Sequence, residues 1–364
     1  MLKIGIDISQ IVYGTGVSFY TRNLVKNLLK IDKENKYILY AGSLRTRSVL
    51  NEKINEFSEF KQQFKTKIYP FSPKMSDILF NRFHLLPIDL FLGKVDVFHS
   101  SDWTQPKSKA FNVTTIHDLS PIIHPQITDR KIIEVHKARL KRIYSGVDRI
   151  IVPSHATKNE LLRLGFNLDK IRVVYEAPGK VFKPQSEKDI ESVKKKFKIR
   201  GKYIFAIGTG KRKNIKGIVR GFELSKAGKK FSLVIAGEED FTLTEKRGIT
   251  FVGMLDDKTL ASLYSGAEAL VYPSFNEGFG IPILQAFSCD CPVVTSNISS
   301  MLEIAGDAAV LVNPNDYNSI AEGILKAVSA RKGLIKKGQK RVKDFSWVKA
   351  ARETLSVYQE ALNK

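Results

Sequence analysis

A chain of 364 residues exceeds one compact core, so two α/β domains are expected first and a single large domain second. Hydrophobic residues at 43% and aromatics at 10% exclude a disordered chain and supply enough material for buried sheets. The formal net charge of +22 favours anionic partners without choosing among nucleic acid, an acidic membrane surface and phosphorylated small molecules.

The N-terminus, Met1-Leu2-Lys3-Ile4-Gly5-Ile6, enters an apolar strand directly, without the charged and cleavable plan of a signal peptide. No later apolar run approaches the roughly 20 residues of a membrane span, so a soluble or peripheral cytoplasmic protein is expected. Strands are predicted at 2–8, 37–41, 66–70, 95–99, 111–116, 148–153 and 171–175, with helices notably at 17–30, 128–145 and 156–164. Residues 176–200, holding Pro178, Gly179, Pro184 and a lysine-rich helix, read as an interdomain connection.

A second run of strands starts at Tyr203-Ile204-Phe205-Ala206-Ile207-Gly208 and continues at 231–236, 250–252, 268–272, 292–295 and 309–312. Strands alternating with helices throughout are the signature of parallel βαβ units. An internal echo supports two such halves. Tyr144-Ser145-Gly146-Val147-Asp148-Arg149-Ile150-Ile151-Val152-Pro153-Ser154 resembles Tyr264-Ser265-Gly266-Ala267-Glu268-Ala269-Leu270-Val271-Tyr272-Pro273-Ser274, each a helix end, a tight glycine turn, a buried strand and a Pro-Ser loop. Cys289 and Cys291 are too close for a structural staple and wrongly spaced for a zinc knuckle, so free thiols are expected. The basic clusters Lys194-Lys195-Lys196, Lys336-Lys337 and Lys340-Arg341 read as solvated helix faces, with membrane-surface contact as the alternative.

The segment from Pro273 to Ala286 carries the densest chemistry: a strand end, the glycine-rich turn Glu277-Gly278-Phe279-Gly280, then Pro282 near the first turn of a helix at about 282–289. Amides and the positive dipole end of a helix favour a diphosphate, and Glu277 sits just outside, where a carboxylate can bind hydroxyls. An ordinary βα turn with an exposed glutamate is the alternative. The loop Gly208-Thr209-Gly210-Lys211-Arg212-Lys213-Asn214 follows the first strand of the second half, and its Arg212-Lys213 pair supplies fixed positive charge, although lysine-rich loops are unremarkable in a chain with 59 Lys and Arg. In the first half, Gly14-Thr15-Gly16 is another glycine turn before a helix, and His117-Asp118 ends the strand Val113 to Ile116, where α/β enzymes place catalytic side chains. A histidine there, like His99 after Val95-Asp96-Val97-Phe98, is equally read as a satisfied core residue. Asp256-Asp257 lies in a turn and no D-x-D pattern ends a strand, which disfavours a metal-dependent mechanism. After Phe345-Ser346-Trp347 the chain ends in an amphipathic helix to about Leu362.

Taken together, the Pro273–Ala286 segment, Gly14-Thr15-Gly16, Thr115-Ile116-His117-Asp118-Leu119, Val152-Pro153-Ser154, Arg212-Lys213-Asn214, Gly253 and Phe345-Ser346-Trp347 resemble, in order along essentially the whole chain, the family-4 retaining glycosyltransferases of the GT-B fold. The resemblance implies an α/β protein of two Rossmann-like domains with parallel sheets facing a central cleft: an acceptor domain at 1–178, a donor domain at 179–345, and a terminal helix at 346–364 crossing back to the first. It implies His117, Glu277, Arg212 and Lys213 as catalytic, and Gly16, Gly208, Gly253, Gly278, Phe279, Gly280, Ile281 and Gln285 as donor-binding. Gly14, Thr15, Asp118 and His99 become acceptor-side candidates. Position 285 departs from the family, which usually has an acidic residue there to contact the donor ribose. The basic loop departs too, being a residue shorter than the P-R-K-N stretch of mannosyltransferase-like members and lacking its proline.

The activity implied is transfer of a hexose, mannose being the candidate, from a nucleoside diphosphate sugar to a glycan or lipid-linked acceptor in cell-surface polysaccharide synthesis. No cofactor or metal is expected, an acidic membrane surface is a further candidate partner, and nucleic acid is not expected. The alternatives are a nucleotide-sugar epimerase and a non-catalytic basic protein binding nucleic acid or acidic lipid, although no RNP-like, helix-turn-helix or zinc pattern occurs.

Overall fold

The structure is a computed structural model and describes residues 1–238 and 248–364. The chain divides into two compact units, one made of Met1–Glu176 with Trp347–Lys364 and the other of Ala177–Ser346.

The first unit is built on seven strands: β1 (Lys3–Asp7), β2 (Lys36–Gly42), β3 (Phe64–Tyr69), β4 (Val97–Ser100), β5 (Phe111–Thr115), β6 (Arg149–Val152) and β7 (Ile171–Val173). They pair in the order β3-β2-β1-β4-β5-β6-β7. Every pairing is parallel, with Ile4 opposite Tyr37 on one side and Val97 on the other. Helices cover both faces of such a sheet, so its strands read as nearly unbroken apolar runs rather than as alternation. All four residues of β4 are buried. Strand order reverses between β1 and β4, the place where open α/β sheets leave a crevice at their carboxyl ends.

The helix Gly16–Ile31 begins where Thr15, as its N-cap, accepts from the Ser18 amide while the Ser18 hydroxyl accepts in return from the Thr15 amide, both at 3.3 Å. The C-terminal helix Trp347–Gln359 packs against it within the same unit, where Trp347 meets Phe19 and Tyr20 edge-on at centroid distances of 5.9 and 5.8 Å. Beyond that helix, Glu360 is held by Arg172 at 3.0 Å and also by Arg149.

The second unit repeats the plan with β8 (Lys202–Ile207), β9 (Phe231–Ala236), β10 (Ile249–Phe251), β11 (Ala269–Tyr272), β12 (Val293–Ser296) and β13 (Val310–Val312), in the order β10-β9-β8-β11-β12-β13 and again parallel. Its reversal falls between β8 and β11. Ile204, Leu233, Val271, Val294 and Ile324 belong to the fully buried core of this unit.

Three expectations are corrected here. Residues from Ala177 onward belong to the second unit, and the lysine-rich helix Glu187–Lys196 is not a linker element. It packs against the helix Asp257–Gly266, where a Cβ on Gly266 would lie 2.6 Å from Ile190 Cγ2. Second, Gly146 and Gly266 are the last residues of their helices, and neither takes the positive φ of a tight glycine turn. Third, Arg341 departs from the solvated face that Lys336, Lys337 and Lys340 keep. The Arg341 guanidinium donates to the carbonyls of Ile304 and Glu303 at 3.0 and 2.7 Å and lies over the Phe345 ring. Cys289 and Cys291 are both free and buried.

Candidate active site

In the second unit the chemistry gathers at the carboxyl ends of β8 and β11. After β8 the chain turns at Gly208 with φ of +84°, a conformation that favours glycine, and the Lys213 side chain crosses the space a Cβ would occupy. Lys211–Lys213 form a short 3-10 turn, and Asn214 follows in the left-handed region at φ 58°. Asn214 Oδ1 accepts from the Gly217 amide at 3.2 Å, capping the helix Ile215–Leu224. Its Nδ2 donates to the carbonyls of Pro273 and Pro314 at 3.2 and 2.7 Å. One asparagine therefore fastens the basic loop to the end of β11, and the Phe275 amide adds a bond to the Arg212 carbonyl at 3.0 Å.

Glu277 stands at the centre of this arrangement. Arg212 Nη1 donates to its Oε2 and Lys213 Nζ to its Oε1, both at 2.7 Å, and Lys213 Nζ also reaches the Tyr272 hydroxyl at 2.6 Å. The hydroxyls of Ser300 and Ser299 donate to the Glu277 carbonyl at 2.6 and 3.2 Å, fixing the backbone behind the carboxylate. Burial would raise the Glu277 carboxyl, but the Lys213 and Arg212 charges and the Lys213 hydrogen bond outweigh it and hold it below the ordinary carboxylate range. The Glu277 side chain is 8% exposed, whereas Arg212 and Lys213 remain 28% and 22% exposed. Arg212 and Lys213 thus converge on one carboxylate at a strand end while both side chains stay partly exposed.

The glycine-rich turn that follows is shaped as its sequence suggests. Gly280 has φ of +96° and precedes the helix Ile281–Ser288, in whose first turn Pro282 has no amide hydrogen to leave unsatisfied. Phe279 is buried and meets Phe345 edge-on at 6.0 Å, so its side chain serves the core. Gln285, one turn into this helix, is buried and accepts from the Tyr264 hydroxyl at 3.3 Å. Gly253, at φ +68°, accepts at its carbonyl from the Gly237 amide at 2.9 Å, tying the chain beyond β10 to the end of β9.

The first unit holds a separate cluster after β5. His117 Nδ1 lies 3.3 Å from Glu176 Oε1, and the Tyr20 ring abuts the imidazole edge-on at 4.5 Å. Burial works against a charged His117, yet the Glu176 hydrogen bond and the Asp102, Glu176 and Asp118 charges prevail and raise it above the ordinary histidine value. His99 differs. Its Nδ1 meets the Tyr358 hydroxyl at 2.6 Å and its Nε2 the Thr115 hydroxyl at 2.8 Å, and burial, with the charges of His117 and Arg139, pushes it down to about 3. A neutral imidazole clamped at both nitrogens is a structural strut joining β4, β5 and the C-terminal helix. Asp118 Oδ1 accepts from the Ser120 amide at 3.0 Å. Gly14, at φ +65°, and Thr15 form the turn before the helix whose first residue is Gly16.

Residue patterns alone did not single out Glu176, Tyr20, Tyr272 or the fully buried Arg139, which bonds Thr114 Oγ1 and the Thr115 carbonyl at 2.9 Å each and faces Asp102 at 3.4 Å. An acidic residue just past the end of β7 was the available signal for Glu176, and an arginine on the long helix Arg130–Gly146 carried none. Among the described residues no group of three or more His, Cys, Asp or Glu is placed to hold a metal ion, and no helix is long and apolar enough to cross a membrane.

Two parallel α/β units, of seven and six strands with the first six in the same relative order, have the architecture of the GT-B fold. The family model described as Glycosyltransferase Family 4 matches residues 14–177, and the one described as Glycosyl transferases group 1 matches residues 187–343. The O-antigen chain mannosyltransferase B of Escherichia coli is 30% identical over 280 residues, covering 72% of this chain and 74% of that protein. A serotype-specific mannosyltransferase of Escherichia coli is 27% identical over 237 residues, covering 60% of this chain but only 29% of its own length. Among solved structures, Anabaena HepE in complex with UDP and glucose superposes with a TM-score of 0.71 at 12% identity, covering 99% of this chain and 100% of that one. The chain belongs to the group 1, family 4 glycosyltransferases and is a glycosyltransferase of GT-B fold.

Proposed function

We propose that the enzyme transfers a hexose, with mannose as the first candidate, from a nucleoside diphosphate sugar to a hydroxyl of a glycan or lipid-linked acceptor in cell-surface polysaccharide synthesis. The observation that carries this reading is the Glu277 carboxylate held at 2.7 Å by both Arg212 and Lys213 at a strand end. The mannosyltransferase relative from an O-antigen pathway supports the choice of sugar and of product class.

In the proposed reaction the bond from the anomeric carbon to the diphosphate oxygen breaks, and Arg212 and Lys213 stabilise the charge that develops on the leaving group. The acceptor hydroxyl attacks on the same face, its oxygen bonding to the anomeric carbon while its proton passes to the departing diphosphate, so configuration is retained. Glu277 orders the two cations and meets hydroxyls of the donor sugar. Gly278, Gly280 and Ile281 would lie along the donor, Gln285 would meet the ribose with an amide in place of a carboxylate, and His117 would orient the transferred sugar. No metal takes part in this scheme.

The test is release of nucleoside diphosphate from GDP-, UDP-, dTDP- and ADP-hexoses in the presence of glycan acceptors. Lys213→Ala is expected to lower turnover by about 10²–10³-fold, the usual effect of removing one group that stabilises transition-state charge. Unchanged turnover in folded Lys213→Ala and Glu277→Ala variants would refute the assignment.

A further inference from the structure

The segment from β12 to Ser300 carries four hydroxyl side chains, and all four donate to carbonyls of one neighbouring stretch of chain. Thr295 Oγ1 donates to the Tyr272 carbonyl at 2.9 Å and Ser296 Oγ to the Ser274 carbonyl at 2.6 Å. Ser300 and Ser299 then both reach the Glu277 carbonyl, at 2.6 and 3.2 Å. The ladder runs outward from Tyr272, which pairs with Thr295 in the sheet, to the residue at the centre of the charged site.

Two features set its last rung apart. A backbone carbonyl offers two lone pairs, and here two serines converge on one oxygen. The peptide joining Glu277 to Gly278 therefore cannot rotate without losing two hydrogen bonds at once. Ser300 is fully buried, where a hydroxyl released from its partner would carry a desolvation cost. Ser299 holds φ of 56°, in the left-handed region that a residue with a Cβ rarely adopts. Strain of this kind persists only where the surroundings over-determine it, and it gathers at functional sites. The helix Ser299–Ala305 begins after Ile298 without a side-chain cap, and its two serines direct their hydroxyls to Glu277.

The cations explain why a second hold matters. Arg212 and Lys213 fix the Glu277 carboxylate by its two oxygens, at 2.7 Å each. In the proposed reaction a diphosphate draws on the same two cations, and a carboxylate held by them alone would loosen as they turn to it. Hydrogen bonds to the backbone stand outside that competition.

We infer that Ser299 and Ser300 are positioning residues that keep the Glu277 carboxylate aimed at the donor sugar while Arg212 and Lys213 engage the diphosphate. The inference rests on the transferase reading and separates recognition of the sugar from recognition of the diphosphate.

Titration calorimetry of the full chain tests it with matched ligands: GDP against GDP-mannose, and UDP, dTDP and ADP each against its glucose conjugate. In whichever pair the wild type binds, Ser300→Ala and Ser299→Gly should each leave the affinity for the nucleoside diphosphate within about twofold. The nucleotide sugar should bind about three- to tenfold more weakly, the usual effect of one lost hydrogen bond, and donor turnover should fall with it. Glycine relieves the strain at position 299, so the unfolding midpoint of Ser299→Gly should match or exceed that of the wild type even as sugar recognition declines. A hydroxyl that served the fold alone would not give that combination. Parallel loss of both ligands, or no change in either, would overturn the inference, and Ser299→Gly decides between these outcomes if Ser300→Ala does not fold. A wild type that binds none of these ligands would count against the transferase reading. Binding and turnover with an unaltered affinity ratio in both variants would count against the serines alone.

Discussion

The His117–Glu176 pair makes the pH behaviour of one imidazole predictable at the residue scale. Because the folded protein raises His117 above the ordinary value of about 6.5, the pair stabilises the fold fully below that pH and loses its contribution as pH rises through the higher folded value. Glu176→Gln removes the largest of the influences that favour the charged ring, so the His117 titration followed by NMR should move to lower pH. A titration unmoved by Glu176→Gln would show that Asp102 and Asp118 set it instead. Glu277 has the opposite sign. Its carboxyl is lowered, so its contribution is present above an ordinary glutamate pKa and lost only as acid reaches the folded value.

Legibility in the sequence also differs residue by residue. Glu277, Arg212 and Lys213 could be named because strand ends, glycine turns and paired cations are local patterns. Their mutual hydrogen bonds could not, since 64 or 65 positions separate the basic loop from the glutamate and only parallel pairing of β8 with β11 brings them together. Glu176 was missed for the same reason, 59 positions from His117.

Among the elements, the two copies of the helix–glycine–strand echo predict opposite mutational outcomes. At Gly146 an added methyl group would meet nothing within 4 Å, so Gly146→Ala should be neutral or stabilising by up to about 1 kcal/mol. At Gly266 the same methyl would fall 2.6 Å from Ile190 and 2.7 Å from the Tyr203 hydroxyl, which is itself bonded to the Leu263 carbonyl. Gly266→Ala should therefore cost about 1–3 kcal/mol, measured by denaturant unfolding. Comparable losses at both positions would mean that the helix end rather than the close approach dictates glycine. The sequence shows the repeated motif but not its unequal packing, because the neighbour at Gly266 is the helix Glu187–Lys196, which reads from composition as a linker. Asn214 offers a second test: Asn214→Ala loses the cap and two carbonyl bonds and should destabilise by about 1–3 kcal/mol while slackening the basic loop.

Across the whole molecule, the chain returns to its first unit after leaving it at Glu176, and that return is structural. Trp347, Ala350, Ala351, Thr354, Val357 and Tyr358 are buried, and Tyr358 satisfies one nitrogen of His99. Deleting residues 347–364 would expose this face and orphan a buried imidazole, so the truncated protein should melt at a lower temperature, with the loss confined to a transition of the first unit. An unchanged melting profile would contradict the packing described. The alternation of strands and helices made the two-sheet plan readable throughout, since parallel sheets leave near-continuous apolar runs in sequence. The amphipathic period of the last helix says which face is buried without saying against what.

Central to the proposed reaction is that Arg212 and Lys213, ordered by Glu277, hold the diphosphate of a sugar donor while Glu277 meets the sugar itself. Thermal unfolding of the wild type against GDP-, UDP-, dTDP- and ADP-hexoses reads this directly, because a ligand bound only by the folded state at about 100 times its Kd adds about 2.7 kcal/mol of stability. One nucleotide class should raise the midpoint in the wild type and fail to do so in Lys213→Ala. A full shift retained in both Lys213→Ala and Arg212→Ala would place the donor elsewhere.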